Sequence, residues 1–510
     1  MGADDQSLAN RIDALVAAKF GESPAAPVAD DAEFLRRVWL DFAGTVPLAD
    51  ETRTFLADAA PDKRERMIDR LLAAPTYAPR MQELFHIMLM ERRGDNDAWT
   101  HYLHTSFEQN KHWDQMVREM LNPVAEDESR KGAGFFYAKR LEKYGENPVD
   151  YPGVTRDVGR LFLGLDLQCA QCHNHLFIDD YKQLDFQGLY TVFLNVSNKG
   201  GVDFPAVTEK KWEKNLEFVS VFDPAQRQTG PRIPFWKEIP IPEQPAEGPP
   251  VSVLALLAEE FPKPENAFFS RNIANRLWFA MMGRGLVHPL DLHHSGNPPS
   301  HPELLALLAA EFIAHEYDVK WMLRELALSQ TYQRSSRYPV AAVADGGPVP
   351  PPETYLVFNE KRLSAEQLLS AALTATGNRE RLTQPAADGK PNQQYIDLKA
   401  KFITAFANEP REPEDDFNAT VKGALFTLND DALLQITARQ PGNLIDRLLA
   451  TTDEYALADE LYLSLLTRLP NEAERTELND FLTARAENRE TALSLWTWSM
   501  LTSMEFVVNR

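Results

Sequence analysis

Cysteine is nearly absent from this sequence, and its scarcity excludes one class of protein. Only two cysteines occur among 510 residues, at positions 169 and 172. A small scaffold held together by disulfides needs several cysteine pairs, so the stability of this chain must come from packed cores. Because the two cysteines are near neighbours in the sequence, they form one local feature and are the first candidates for chemistry.

Long apolar runs and an excess of basic residues are lacking as well. No stretch approaches the roughly 18 consecutive apolar residues that a membrane helix needs, so we expect no membrane span. The chain has 75 acidic and 53 basic residues and a net charge of −22. Such a surface repels a phosphate backbone on average, and this argues against a nucleic-acid partner.

The start of the chain has neither the basic residues nor the apolar stretch of a signal peptide. Residues 2–10 are typical of a mature N-terminus placed behind an initiator Met. We therefore expect an exported protein whose leader has been removed from this sequence.

Apolar periodicity predicts a mainly α, multi-helical fold. Phe34, Val38 and Phe42 fall on one helical face, and Ser300 followed by Glu303 is the pattern of a capping box. Thr155 is the expected N-cap of the helix that precedes the cysteines. Between the helical regions, Glu217 to Phe222 predicts a short strand.

Seven prolines between Pro231 and Pro250 exclude a helix there and predict an extended, loop-like connector. The predicted organisation is therefore a two-domain protein. It has a helical domain over 1–200, a Pro-rich, partly extended connector over 201–250, and a second helical domain over 251–510.

One motif carries recognisable chemistry, the run Cys169-Ala-Gln-Cys-His173. C-x-x-C-H is the attachment pattern for c-type haem: the two thiols bond to the haem vinyl groups and the imidazole of His173 becomes the proximal iron ligand. Two other interpretations stay open. One is zinc or another metal, where zinc would need Cys169, Cys172 and two histidines. The other is a structural Cys pair, as a short-loop disulfide or two buried thiols. A thioredoxin-like motif would need a preceding strand, whereas the context here is helical.

His175 is a weaker candidate for the metal, because it lies too close to His173 to reach the opposite face of a haem. A distal ligand must come from elsewhere, or that side of the iron is open, which would favour chemistry over simple electron transfer. The candidate distal ligands in the same predicted domain are His86, Met88, Met90, His101 and His104. A later loop could present His293 and His294, whereas His301 is expected to be structural.

Several stretches of this chain resemble those of one known family. The stretches that carry the resemblance in the first half are Asp31-Ala-Glu-Phe-Leu-Arg-Arg-Val-Trp-Leu-Asp-Phe-Ala-Gly-Thr-Val-Pro47, Pro61-Asp-Lys-Arg-Glu-Arg-Met-Ile-Asp-Arg-Leu-Leu72 and Leu167-Gln-Cys-Ala-Gln-Cys-His-Asn-His175. In the second half they are Asn275-Arg-Leu-Trp278, Gly283-Arg-Gly-Leu-Val287, Asn297-Pro-Pro-Ser-His-Pro-Glu-Leu-Leu305, Ser329-Gln-Thr-Tyr-Gln333 and Arg362-Leu-Ser-Ala-Glu-Gln-Leu-Leu369. These stretches resemble the planctomycete-type proteins with DUF1549 and DUF1553 domains, and the resemblance makes 1–200 DUF1549-like and 251–510 DUF1553-like.

The resemblance implies an exported, cytochrome-like protein that is associated with the breakdown of complex polysaccharides. After His175 the family usually continues with Pro-Phe-Asp and then a tryptophan, whereas this chain continues Leu176-Phe-Ile-Asp-Asp-Tyr181. That departure changes the loop directly beside the expected ligand.

The sequence therefore predicts an exported c-type haem protein with covalent haem c on Cys169, Cys172 and His173. It would transfer electrons or carry out haem-dependent oxidation, with a redox protein or a polysaccharide-related substrate as its partner. Two alternatives stay open: a non-enzymatic binding or scaffold protein with a structural Cys pair, and a metal-dependent hydrolase that uses the Cys/His cluster.

Overall fold

The mainly α fold predicted from the sequence is confirmed in the computed structural model, which describes residues 6–143, 145–245, 247–338, 350–385, 389–414 and 421–510. The first helices are α1 (Leu8–Ala17), α2 (Asp31–Ala43), α3 (Ala49–Ala57), α4 (Lys63–Leu72), α5 (Tyr77–Met90), α6 (Asp97–Glu108), α7 (Trp113–Leu121), α8 (Phe135–Arg140), α9 (Tyr151–Leu163) and α10 (Gln183–Phe193). The next are α11 (Val253–Glu260), α12 (Ala267–Met282), α13 (Pro302–Ala314), α14 (Val319–Leu328), α15 (Gln330–Gln333), α16 (Ala365–Ala375), α17 (Arg379–Thr383) and α18 (Gln393–Phe406). The last are α19 (Val421–Asn429), α20 (Asp431–Thr437), α21 (Leu444–Ala450), α22 (Glu454–Leu466), α23 (Glu472–Thr483), α24 (Arg489–Leu501) and α25 (Met504–Val507).

The strands are short and pair two by two. The antiparallel pairs are β1 (Val196–Asn198) with β2 (Val207–Glu209), β3 (Leu216–Ser220) with β4 (Asp223–Thr229), β5 (Arg232–Ile233) with β6 (Lys237–Glu238), and β7 (Lys361–Arg362) with β8 (Val508–Asn509). The strand predicted over 217–222 is thus present as β3, and it ends at Ser220 because Val221 and Phe222 form the turn to β4.

The chain divides into two compact units, and neither unit is one continuous stretch. Unit 1 holds Met1–Lys19, Met81–Leu326 and Pro410–Asp415; unit 2 holds Phe20–Arg80, Ala327–Glu409 and Asp416–Arg510. These units do not coincide with the segments 1–200, 201–250 and 251–510 that were predicted from the sequence.

The core of unit 2 shows why an early segment belongs with the end of the chain. Leu40 of α2 and nearby Val46 are buried in the same apolar cluster as Leu461 of α22 and Leu493 of α24. An amphipathic helix is stabilised mainly by covering its apolar face, and here the cover comes from helices more than 400 positions later. Sequence-distant segments therefore share one core.

The core of unit 1 fixes the helix that leads to the cysteine motif. The ring of Phe162, on α9, lies 5.3 Å from that of Phe136 and 6.1 Å from that of Trp113. All three side chains are buried. Aromatic burial of this kind dominates core energetics, so the C-terminal end of α9 is a firm support for the loop that follows.

Both helix starts predicted from capping residues are wrong. Helix α9 begins at Tyr151, where the carboxylate of Asp150 accepts the N–H of Gly153 at 2.9 Å, and Thr155 lies inside the helix with its hydroxyl on the carbonyl of Tyr151. Helix α13 begins at Pro302, whose fixed φ suits the first helical position. His301 is therefore the N-cap residue, and it makes no side-chain capping bond.

None of the helices in the described part of the chain is both long enough and apolar enough to cross a lipid bilayer.

Candidate functional site

The C-x-x-C-H motif lies in unit 1, in the loop between α9 and α10. Helix α9 ends at Leu163 and is capped by Gly164, which adopts a left-handed conformation with φ of 70°. Cys169 begins a single 3-10 turn, Cys169–Gln171, and Cys172 follows that turn directly. Both are free thiols, and both are exposed. Their sulfur atoms are therefore accessible to a reagent from solvent.

Side chains of the two flanking helices hold the loop in place. Arg156 of α9 donates to the side-chain oxygen of Gln171 at 2.8 Å, and Gln187 of α10 donates to the Gln171 carbonyl at 2.8 Å. The side-chain oxygen of Asn174 accepts the backbone N–H of Gln183 at 2.9 Å. The motif is thus fixed by hydrogen bonds on both sides although its thiols face solvent.

The turn of the β3–β4 hairpin contacts the motif directly. The backbone N–H of Val221 donates to the Cys172 carbonyl at 3.1 Å. The ring of Phe222 lies 4.7 Å from the imidazole of His173, measured between centroids. Gln183 ties the same hairpin to α10 by donating to the Val219 carbonyl at 3.0 Å.

The imidazole of His173 is held in one tautomer. Its Nδ1 lies 2.6 Å from the carbonyl oxygen of Asn174, and a carbonyl can only accept, so Nδ1 carries the proton and donates. The lone pair is then on Nε2. A hydrogen bond from the other ring nitrogen is the usual way in which proteins orient a metal-ligating histidine.

His175 is held in the opposite tautomer. Its Nδ1 accepts the backbone N–H groups of Phe177 at 3.2 Å and Ile178 at 3.0 Å. In the neutral ring, Nε2 then carries the proton and has no lone pair for a metal. Of the two predicted metal-binding histidines, His173 is therefore prepared as a ligand and His175 fastens the loop.

A second histidine-bearing loop reaches this side of unit 1. The ring of Tyr181 lies 6.0 Å from that of His175 and 5.6 Å from that of His294, and Asp180 accepts the backbone N–H of Ser295. Burial lowers the pKa of His294, nearby His175 lowers it further, and Asp180 partly offsets both. His294 is thus favoured as a neutral imidazole beside the motif loop.

Buried ion pairs fix the loop that carries His294. Arg160 donates to Asp291 at 3.0 Å, and Arg276 bonds the other oxygen of the same carboxylate. The backbone of Asp291 accepts the N–H of Asp166 at 2.9 Å, next to the motif loop. The ion pairs therefore hold Asp291 in place, and its backbone hydrogen bond to Asp166 joins the two loops.

His293 faces inward. It is buried, and its backbone N–H donates to the Gly164 carbonyl at 3.0 Å. Burial, helped by the nearby positive charge of Arg276, lowers its pKa to about 4. His293 is therefore a neutral residue of the core, whereas its neighbour His294 is half-buried.

The remaining predicted ligands are placed elsewhere or are already engaged. Both nitrogens of His86 have partners, the indole of Trp99 at 3.0 Å and the carboxylate of Asp95 at 2.9 Å. Met90 is buried with its sulfur 3.7 Å from a guanidinium nitrogen of Arg140. The structure leaves Met88 and His104 half-buried and His101 exposed, and buries His301. Within the described ranges, no three His, Cys, Asp or Glu side chains are grouped so as to hold a metal ion.

Sequence reasoning missed Val221 and Phe222, although one signal was available. Tight hairpin turns are usually built from Gly, Asn, Asp or other polar residues. An apolar pair at such a turn is exceptional and indicates a surface that binds something.

Family models account for most of the chain. The model of PSCyt2, a protein of unknown function (DUF1549), matches residues 11–198, and that of PSD1, a protein of unknown function (DUF1553), matches residues 255–415. The chain belongs to the DUF1549/DUF1553 family. No curated protein and no solved structure matched it.

The family match confirms the resemblance. It also shows that the residues of the candidate site come from both family regions. The motif at 169–173 lies in the DUF1549 region and His294 lies in the DUF1553 region, so both regions contribute to one side of unit 1. The β3–β4 hairpin falls between the two matched ranges.

Proposed function

We propose that this DUF1549/DUF1553 protein is a c-type haem protein. The observation that carries the proposal is the tautomer of His173, whose Nδ1 donates to Asn174 and leaves the Nε2 lone pair available beside two exposed free thiols. These are the three donors that covalent haem attachment requires, in the order of the attachment motif.

The attachment chemistry needs only the two thiols. When haem is attached, each sulfur would form one S–C bond to a vinyl carbon, and the thiol proton would go to the other vinyl carbon as the C=C double bond becomes single. No electron is gained or lost, so free thiols, as observed here, are the competent form and a Cys169–Cys172 disulfide would block the reaction. Nε2 of His173 would bind the haem iron.

Electron transfer is the role that this placement favours. A bound haem supplies one-electron redox chemistry tuned by its axial ligands and surroundings. Cys169 and Cys172 are exposed, so the chain would hold it at the surface, within reach of a redox partner. The proposal includes export, since c-type maturation is an extracytoplasmic process, and a role linked to polysaccharide breakdown.

The test is a reduced pyridine haemochrome spectrum of the chain, exported in a host with cytochrome c maturation. We expect a c-type α-band that stays with the polypeptide after denaturation and is lost in the Cys169→Ala, Cys172→Ala double variant. A folded, exported chain without that band would contradict the proposal.

A binding module is the second candidate, and one observation favours it. Phe177, in the motif loop, is 90% exposed, and Leu176 beside it is exposed too. Exposed apolar patches mark docking sites. This candidate predicts a colourless protein that binds a partner through the loop whether or not the cysteines are present.

A further inference from the structure

Several exposed apolar side chains of unit 1 are gathered around the C-x-x-C-H motif. Large exposed apolar residues occur on both segments that adjoin it, in the motif loop and at the β3–β4 turn. They are Leu176, Phe177, Val219, Val221 and Phe222. Leaving such large apolar side chains in water is unfavourable relative to burying them, so this concentration indicates a surface that is covered in the working protein.

We infer that the tip of the β3–β4 hairpin, formed by Val219 at the end of β3 and the turn residues Val221 and Phe222, is part of the haem-binding surface and shields an attached haem from water. The inference rests on the proposed function and adds to it a segment that lies outside both family-matched ranges. Haem is the expected ligand of this surface because the turn contacts two residues of the attachment motif. Val221 is hydrogen-bonded to the backbone of Cys172, and Phe222 lies against the ring of His173.

The lack of charge at the turn also suits a haem. Residues 218–222 read Phe-Val-Ser-Val-Phe and carry no charge, in a chain whose charged content is 25%. A porphyrin offers a large apolar surface to such a segment. Reduction potential depends on how far the surroundings exclude water, because solvent stabilises the more highly charged oxidised iron.

The test uses the haem-loaded chain and a matched pair of valines. Val221 is 67% exposed, and Val421, in α19 of unit 2, is 76% exposed. We expect Val221→Ser, and more strongly Phe222→Ser, to lower the midpoint potential in a spectroelectrochemical titration and to lower the melting temperature. Val421→Ser should change neither.

The same substitutions in the Cys169→Ala, Cys172→Ala background provide the second arm. There the turn has no haem to cover, so Val221→Ser should leave the melting temperature unchanged, and Phe222→Ser should lower it only through the lost contact with the ring of His173. The same melting curves show that the variants fold. An effect that appears with haem attached, and is absent for Val221→Ser or clearly smaller for Phe222→Ser without it, is what a shielding role requires and a merely structural role does not give.

The outcomes separate the two claims. No haem on the wild-type chain overturns the proposed function and this inference with it. Haem on the wild type, with Val221→Ser and Phe222→Ser indistinguishable from Val421→Ser, overturns the inference alone. A turn that instead holds two copies of the chain together would show as a dimer in sedimentation that Phe222→Ser dissociates, and this too overturns it.

Discussion

His173 and His175 stand two positions apart on one loop and hold opposite tautomers, since Nδ1 of the first donates to a carbonyl and Nδ1 of the second accepts two backbone N–H groups. From the sequence alone, both histidines are candidate metal ligands. The hydrogen bonds distinguish them, because only His173 has an Nε2 lone pair for iron.

The first prediction separates the two histidines. In the haem-loaded chain, His173→Ala should remove the proximal ligand, so the reduced absorption spectrum loses its low-spin bands and added imidazole restores them. His175→Ala should keep the wild-type spectrum and mainly loosen the loop. The spectra of both variants, with and without imidazole, check this, and a spectrum lost in His175→Ala alone would reverse the assignment.

The second prediction concerns the turn that begins the motif loop. A Cβ at Gly164 would lie 2.5 Å from Cδ2 of the buried His293 ring, at a φ of +70°. Gly164→Ala should therefore destabilise unit 1 by about 1–3 kcal/mol, the usual cost of strained backbone together with steric conflict. Urea denaturation of the variant measures this loss in the free energy of unfolding.

The control for Gly164 is Gly442, which has a φ of +76° and open space where a Cβ would stand. Gly442→Ala shares the backbone strain but not the clash, so it should be the milder change. Equal losses in the two variants would show that the contact with His293 does not matter.

The third prediction is a pH dependence of stability caused by His293. Its pKa is about 4 in the folded chain and 6.5 ordinarily, so protonation favours the unfolded state. The stabilisation from keeping it neutral is complete above about pH 6.5 and is lost as the pH falls towards 4. At ~1.4 kcal/mol per pKa unit, that amounts to roughly 3 kcal/mol.

His293→Gln tests this directly, because glutamine does not titrate. Urea denaturation between pH 7 and pH 4 should show a shallower decline in the free energy of unfolding for the variant than for the wild type. Parallel curves would assign the decline to other groups, for example His301, whose pKa burial also lowers to about 4.

Local patterns in the sequence were sufficient for the helices and for the motif. Phe34, Val38 and Phe42 are buried on α2 as their spacing predicts, because helical periodicity is a property of adjacent turns. The cysteines and His173 were found for the same reason, since the motif spans five consecutive residues.

Contacts between distant residues could not be predicted in this way. Phe222 meets the ring of His173 only because the β3–β4 hairpin folds back onto α10, and no local pattern encodes that return. Thr155 failed as an N-cap for a related reason. Asp150, five positions earlier, is an equally good capping residue. Because the helix begins at Tyr151, Asp150 caps it and Thr155 lies inside it.

The fourth prediction concerns the buried charges behind the site. One oxygen of the Asp157 carboxylate accepts from Nε of Arg140 and from a terminal nitrogen of Arg93, both at 2.8 Å. Arg140 is buried, so removing the anion leaves an uncompensated guanidinium. Asp157→Asn should therefore cost about 3–5 kcal/mol in the free energy of unfolding, as measured by urea denaturation at neutral pH.

Acid should abolish that difference. Burial raises the pKa of Asp157, but Arg140, Arg93 and Arg160 outweigh it and hold the pKa below its ordinary value of 3.8. The carboxylate thus stabilises the fold fully above about pH 4, and the contribution disappears as the pH falls through the lowered pKa.

The control is Asp446→Asn. Asp446 pairs with Arg439 at 2.8 Å on the surface of unit 2, where water screens the charges, so its loss should cost much less than the loss of Asp157. Equal losses at Asp157 and Asp446 would mean that the buried network does not stabilise unit 1.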